Sequence, residues 1–451
     1  MENQIPITQL DSPIIDATQH NPAIRLAKGR FQLWRRASAG PLVVLFLLAP
    51  WLTINDAPWL WMNLEARELH FLGLTLWPDD LLVLTWLAFG AAFALFSAAT
   101  VAGRLWCGFA CPQTVWSMMF TWVEEKTQGS RNKRLKELKM PWYRRRLLPL
   151  FLKHFFWLLI SFVTGFTFVA FFETGSGLAS RITQGDMDVA LLFWLIFFTA
   201  LTYINGGWLR EQVCLHMCPY SRFQSVMLDK KSLKVSYDTT RGEPRKKGGD
   251  CVDCNLCVQV CPVGIDIRHG LQYACIDCAA CIDVCDDVMN KVGRETGLIR
   301  FAHESKGGNR LLNLLKGRSK LWGYLSLTLL AGATFFWQVL HTETLDTHFS
   351  RDRGQLYFYN GNGELANGFA LKLHNKTELT QTYQLKPEQS ALSINGPTSI
   401  TLSRGESRSV SIELQCDFPC GLKHTSNIGL SINNPATGQQ WVVENRFFVG
   451  G

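Results

Sequence analysis

No charged residue interrupts Leu81–Val101, a run of 21 residues in a chain of 451. A helix needs about 20 apolar residues to cross a bilayer, so this run excludes a simple soluble enzyme. Acidic residues are in the minority, with Asp+Glu 37 against Lys+Arg 45 and a net charge of +8. A basic excess often marks nucleic-acid binding. Here the basic residues lie between apolar segments, so they read as a membrane-topology signal with no nucleic-acid partner. No Rossmann-type Gly fingerprint follows a strand, and no nicotinamide or flavin site is expected. No secretory signal peptide fits either, because the first apolar run starts near residue 38 and no small-residue cleavage site follows it.

Five apolar stretches qualify as membrane helices: Ser38–Ile54, Leu81–Val101, Phe155–Phe172, Val189–Trp208 and Leu321–Leu340. The segment 1–37 carries five basic residues, and the loop 103–148 carries ten against three acids. Loops 55–80 and 173–188 carry one each, Arg67 and Arg181. Basic loops stay in the cytoplasm. The expected layout is a cytoplasmic tail 1–37, four spans over 38–208, a cytoplasmic segment 209–320, a fifth span 321–340 and an outer domain 341–451. Trp51, Trp59, Trp61 and Trp77 fall near the expected outer interface, where amphipathic rings are favoured.

The 14 cysteines are clustered, which in a long membrane chain points to metal rather than a disulfide framework. Residues 251–262 read C-V-D-C-N-L-C-V-Q-V-C-P, the bacterial ferredoxin run. A second C-x2-C-x2-C-x3-C follows at Cys275, Cys278, Cys281 and Cys285, with Asp286 where Pro is usual. In such runs three thiolates hold one cluster and the fourth reaches the other. Cys251, Cys254 and Cys257 are therefore expected to share a 4Fe–4S cluster with Cys285. Cys275, Cys278 and Cys281 are expected to share a second with Cys261, in a module over about 245–300. Zinc usually takes two separated C-x2-C pairs and fits this spacing poorly. Two such clusters make electron transfer the default role.

Two further pairs sit at the membrane edge. Cys107-Gly-Phe-Ala-Cys111-Pro112 follows the second span and Cys214-Leu-His-Met-Cys218-Pro219 the fourth, each after an Arg, Arg104 and Arg210. This is a weak internal repeat. On a continuous helix the spacing places two sulfurs on one face, and the Pro favours a kink or boundary. A lone buried Cys is usually a small hydrophobe, but two pairs at equivalent places suggest a soft-metal site: Cu(I), zinc or iron–sulfur. His216 and Met217 would suit copper, though packing explains each alone. After Leu340, short alternating runs such as Phe369–Leu373 and Ser409–Leu414, separated by turn residues, suggest an all-β sandwich. It has no obvious catalytic cluster. Cys416 and Cys420 fit a local disulfide or a dithiol metal site.

Together these residues resemble the CcoG/FixG (RdxA-like) cytochrome c oxidase accessory proteins over nearly the whole chain. The resemblance rests on Arg104–Trp116, Cys214–Gln224, Gly249–Asp266 and Cys275–Cys285. It implies a five-helix membrane bundle, an inserted cytoplasmic ferredoxin-like module with two 4Fe–4S clusters, and a periplasmic immunoglobulin-like domain, in the bacterial inner membrane. It also implies a role in assembling cbb(3)-type cytochrome c oxidase by reducing Cu(II) to Cu(I). Expected partners are the lipid bilayer, oxidase subunits or copper-delivery proteins, and an electron donor that the sequence does not name. An electron-relay subunit fed by a quinol or cytoplasmic donor, and a non-redox metallochaperone or scaffold, are the competing classes.

Overall fold

The computed structural model describes residues 23–449 apart from 55–56, 65–66, 72–73, 78–79, 142–145, 228–230, 247, 271, 303–317, 342–343, 353–354, 360–363, 378 and 417–423. The chain divides into two compact units near residue 335.

In the first unit the first described helix is α1 (Arg30–Leu48). Short strands follow: β1 (Thr53–Ile54), β2 (Ala57–Pro58), β3 (Leu60–Asn63), β4 (Glu68–Phe71) and β5 (Leu74–Leu76). The helices α2 (Leu81–Ala102), α3 (Leu105–Phe109), α4 (Pro112–Gln128), α5 (Arg131–Lys139), α6 (Leu147–Glu173), α7 (Gly175–Gln184), α8 (Val189–Ile204) and α9 (Pro219–Met227) come next. Two π-helical turns, Asn205–Leu209 and Val213–Met217, lie between α8 and α9. The cysteine module holds β6 (Lys234–Tyr237), α10 (Thr239–Gly242), α11 (Leu256–Gln259), α12 (Ala280–Lys291) and β7 (Ile299–Ala302), with β6 and β7 paired antiparallel. The helix α13 (Ser319–Leu340) ends the unit's apolar segments.

Among the described residues, four helices are long and apolar enough to cross a membrane: Leu82–Ala102, Leu147–Glu173, Val189–Leu209 and Ser319–Leu340. Large apolar side chains such as Leu158, Phe162, Phe193 and Ile196 are exposed on them, an outer surface suited to lipid. The helices α6 and α8 approach closely at Gly165, where a Cβ would lie 2.7 Å from Thr199 Oγ1 and 2.8 Å from its amide nitrogen. Small residues at such crossings let membrane helices pack.

The first expected span, Ser38–Ile54, is displaced. Its helix starts at Arg30, carries Arg30, Arg35 and Arg36, and is not among the four. The reason is tertiary: Asp283 accepts hydrogen bonds from the amides of Phe31 (3.0 Å) and Gln32 (2.7 Å), capping the helix eight residues early. Segment 55–80, read as a plain loop, contains the three-stranded sheet β3-β4-β5. Much of the basic loop 103–148 is helical, as α3, α4 and α5.

The second unit is a β-sandwich. Its strands are β8 (Leu345–Arg351), β9 (Phe358–Tyr359), β10 (Leu365–Asn375), β11 (Gln381–Pro387), β12 (Ser393–Asn395), β13 (Ser399–Leu402), β14 (Ser407–Cys416), β15 (Thr425–Asn433) and β16 (Gln440–Phe448). One sheet runs β12-β14-β10-β8 with β9 also on β10, and the other β13-β11-β15-β16. Alternating side chains from both sheets fill the core, with Leu371, Leu373, Leu414, Leu430 and Phe447 fully buried. Buried Tyr383 directs its hydroxyl to Asn375 Oδ1 at 3.2 Å, which keeps that polar atom satisfied. Cys416 is disulfide-bonded; Cys420 lies outside the described residues.

Candidate functional site

The eight cysteines of the two ferredoxin-type runs line two cavities. One is walled by Cys261, Cys275, Cys278 and Cys281, with Cys257 also at its edge. The other is walled by Cys251, Cys254, Cys257 and Cys285. Each run thus sends its last cysteine to the other run's cavity. The two loops share an unusual backbone. Asp253 and Asn255 in one, and Asp277 and Ala279 in the other, are left-handed, with φ between 50° and 58°. Alternating left- and right-handed residues turn successive amides inward and form anion-binding concavities. In the Cys251 loop, buried Arg268 ties Asp253 and Asn255 together, at 2.6 Å to each.

The donor chemistry fits iron–sulfur clusters. Burial pushes the Cys257 thiol up to about 11 and those of Cys261 and Cys285 to about 12. It lifts Cys275 and Cys281 well above the ordinary thiol range. Such groups are neutral thiols until a metal displaces their protons, so cluster binding and folding are coupled.

The membrane-edge cysteines do not sit on continuous helices. Cys107 is in α3, but Cys111 is extended (ψ 127°) and precedes Pro112 at the start of α4. Cys214 is in a π turn, and Cys218 is extended (ψ 112°) before Pro219 of α9. A residue before proline is driven from the helical region, and proline is favoured at the first helical position. The simple i,i+4 face is therefore broken in both pairs. The four thiols lie within electrostatic range of one another: Cys107 of Cys111 and Cys218, and Cys214 of all three others. Burial lifts Cys107 and Cys214 to about 12. Among the described residues, no three His, Cys, Asp or Glu side chains already converge to hold a single ion.

The two repeat units reach into each other. Arg104, at the end of α2, donates to the Ser221 carbonyl of α9 at 2.8 Å. Gln224 of α9 donates to the Gly103 carbonyl (3.0 Å) and accepts from Cys107 Sγ (3.3 Å). In the other direction, Arg210 donates to Glu124 of α4 (2.7 Å), and Gln113 of α4 donates to the Arg210 carbonyl (2.9 Å).

The first pair is also joined to the Cys275 cavity. Arg104 donates to the carbonyls of Tyr273 (2.7 Å) and Cys275 (3.2 Å), and its amide bonds Asp277 Oδ2 (3.0 Å). Asp277 also accepts from the Val235 amide (3.1 Å). Burial pushes its carboxyl above the ordinary range, partly offset by these donors. Gly108 sits flat on the cavity loop: a Cβ there would lie 2.7 Å from the Ile276 oxygen and 2.9 Å from Cys278 Cα. From the other side, Arg35 of α1 donates to the Gly108 carbonyl at 2.8 Å. Sequence reasoning singled out all eight ferredoxin-type cysteines and the four at the membrane edge. It missed Gly108, Asp277, Asp283 and Gln224. The signal available for the two acids was a carboxylate between closely spaced cysteines.

Comparison with known proteins agrees with this arrangement. Residues 209–248 and 244–304 match a 4Fe-4S dicluster domain, and residues 335–450 match the Ig-like fold at the C-terminal of FixG. The chain is 32% identical to "Nitrogen fixation protein FixG" of Rhizobium meliloti, over 88% of this chain and 84% of that one. It is 32% identical to "Protein RdxB" of Cereibacter sphaeroides, over 91% of this chain and 92% of that one. A more distant likeness is "Ferredoxin-type protein NapH" of Haemophilus influenzae, 25% identical over 54% of this chain and 78% of that one. With a dicluster module, apolar helices and a C-terminal Ig-like domain in one chain, the protein is an iron–sulfur membrane protein of the FixG/RdxA/RdxB family.

Proposed function

We propose that the protein is a cupric reductase serving assembly of cbb(3)-type cytochrome c oxidase. In this reading Cys251, Cys254, Cys257 and Cys285 hold one 4Fe–4S cluster, and Cys261, Cys275, Cys278 and Cys281 hold a second. Bound there, the clusters supply single electrons. Cys107, Cys111, Cys214 and Cys218 receive copper as substrate. Thiolate ligands favour Cu(I) over Cu(II), so binding on these sulfurs draws the ion toward the reduced state. Arg104 and Gly108 hold the copper-binding segment against the Cys275 loop. The chain crosses the bacterial inner membrane five times, α1 included. Its N-terminus and cysteine module are cytoplasmic and its Ig-like domain periplasmic, where it faces oxidase subunits or copper-delivery proteins.

The single observation that carries the reading is the contact at Gly108, which leaves no side chain between the Cys107 segment and the backbone of Ile276 and Cys278. The test is the double variant Cys214→Ala, Cys218→Ala. It should keep the cluster absorption and EPR spectra, because no cluster ligand is touched. Copper binding and Cu(II) reduction should fall together. Wild-type copper binding and reduction in that variant would sink the assigned copper site, making these cysteines packing residues with the copper held elsewhere.

A further inference from the structure

The two cysteine-lined cavities differ in what else lines them. Among the described residues, the wall of the Cys275 cavity consists, cysteines apart, of Pro, Val, Ile and Ala. The wall of the Cys251 cavity includes one charged residue, Arg268. Arg104 bonds the Cys275 carbonyl but is not part of that cavity's wall. Exposure differs too. Cys254 is exposed, and the other seven cysteines of the module are buried or half-buried.

Arg268 is fixed where it stands. It sits on a single 3-10 turn, Ile267–His269, and its side chain is 6% exposed. Its Nε donates to Asp266 Oδ1 at 2.8 Å, and a terminal nitrogen donates to Asp266 Oδ2 at 2.6 Å. The bonds to Asp253 and Asn255 complete the fork. Neither carboxylate lines the cavity, and Asp253 shares its charge with Lys246 Nζ at 2.9 Å. The guanidinium stays protonated at any ordinary pH, so it is a permanent charge at this wall.

Reduction adds a negative charge to an iron–sulfur cluster. Net charge, hydrogen bonds and solvent exposure around a cluster set its reduction potential. A cation at the wall and an opening to solvent both favour the added charge, and an apolar wall opposes it.

We propose that Arg268 holds the cluster bound by Cys251, Cys254, Cys257 and Cys285 at the higher of the two reduction potentials. The cluster bound by Cys261, Cys275, Cys278 and Cys281 is then the stronger reductant, and its loop is the one that meets Gly108. The inference rests on the two-cluster part of the function proposed above and not on copper.

The test is an EPR-monitored redox titration of the full-length holoprotein in detergent, without oxygen or copper. Wild type should show two midpoint potentials. Arg268→Gln should lower the higher one alone. The ratio of reduced to oxidised cluster at a fixed potential should fall about tenfold, which is 59 mV for one electron. Arg268→Lys keeps the charge and should stay near the wild-type value. Asp266→Asn removes a neighbouring negative charge and should move the same midpoint upward. A purely structural role would move the Arg268→Gln and Asp266→Asn midpoints in one direction, since both substitutions weaken the same fork. If Arg268→Gln does not retain its iron, the rise in Asp266→Asn decides alone, and its absence overturns the proposal. Unchanged potentials, a shift in the lower midpoint only, or a lysine variant that behaves like the glutamine one also overturn it. Wild type with about four irons per chain would sink the two-cluster reading itself, whereas about eight with any of those results sinks only the role of Arg268.

Discussion

Glu124 is a carboxylate held between two guanidinium groups in the interior, one from α5 and one from the π turns after α8. Removing one partner of such a buried set strands the others, which costs about 3–5 kcal/mol. Glu124→Ala should therefore lower thermal stability in detergent sharply, and Glu124→Gln less so. A near-wild-type Tm for the alanine variant would mean that Arg134 and Arg210 find other acceptors. Sequence reasoning passed over Glu124 because its neighbours, Glu125 and Lys126, read as part of a solvated basic loop. Its partners lie 10 and 86 residues away, and no periodicity marks contacts of that kind. The cysteine positions were legible for the opposite reason: cluster ligation fixes their spacing locally.

At the scale of elements, the break between α3 and α4 decides how the membrane-edge thiols are presented. Pro112 and Pro219 announced a boundary in the sequence, but the reading of two sulfurs on one helix face did not survive it. The extended residue before each proline is itself a cysteine. Nor could the sequence reveal that α3 lies flat on a loop about 170 residues later. That contact depends on the missing side chain of Gly108. In Gly108→Val the added carbons would press on backbone atoms of Ile276 and Cys278, which cannot rotate away. The Cys275 cavity should then distort first. Iron analysis should fall from about eight per chain toward about four, the content of one 4Fe–4S cluster. The EPR signal of only one cluster should remain. Full iron content with a wild-type spectrum would show that helix and loop can part without loss.

For the whole molecule, the order of parts was plain in the sequence: apolar helices, a cysteine module, another apolar helix, then alternating strands. Runs of apolar residues and period-two alternation are local signals and survive any tertiary arrangement. The start of α1 was not legible, since its cap comes from Asp283, more than 250 residues further on. The proposed topology places the α4–α5 turn and the sandwich on opposite sides of the membrane, as the asymmetry of basic residues implies. Reporter fusions at Gly129 and after Val449 should then report opposite compartments. Signals from one side only would mean that one of α6, α8 and α13 does not cross.

The cap on α1 also sets an order of manufacture. Asp283 stands on the turn of α12 between Cys281 and Cys285, one lining each cavity. That turn takes its final shape only when the cysteines around it are satisfied, because metal binding and folding of such modules are one event. The helix α1 thus waits for a carboxylate made much later, on a segment that needs iron to fold. A cell short of iron would make chains whose α1 is unanchored, and its proteases would meet them in that form. Iron supply thereby becomes a checkpoint on how much of this protein the membrane keeps.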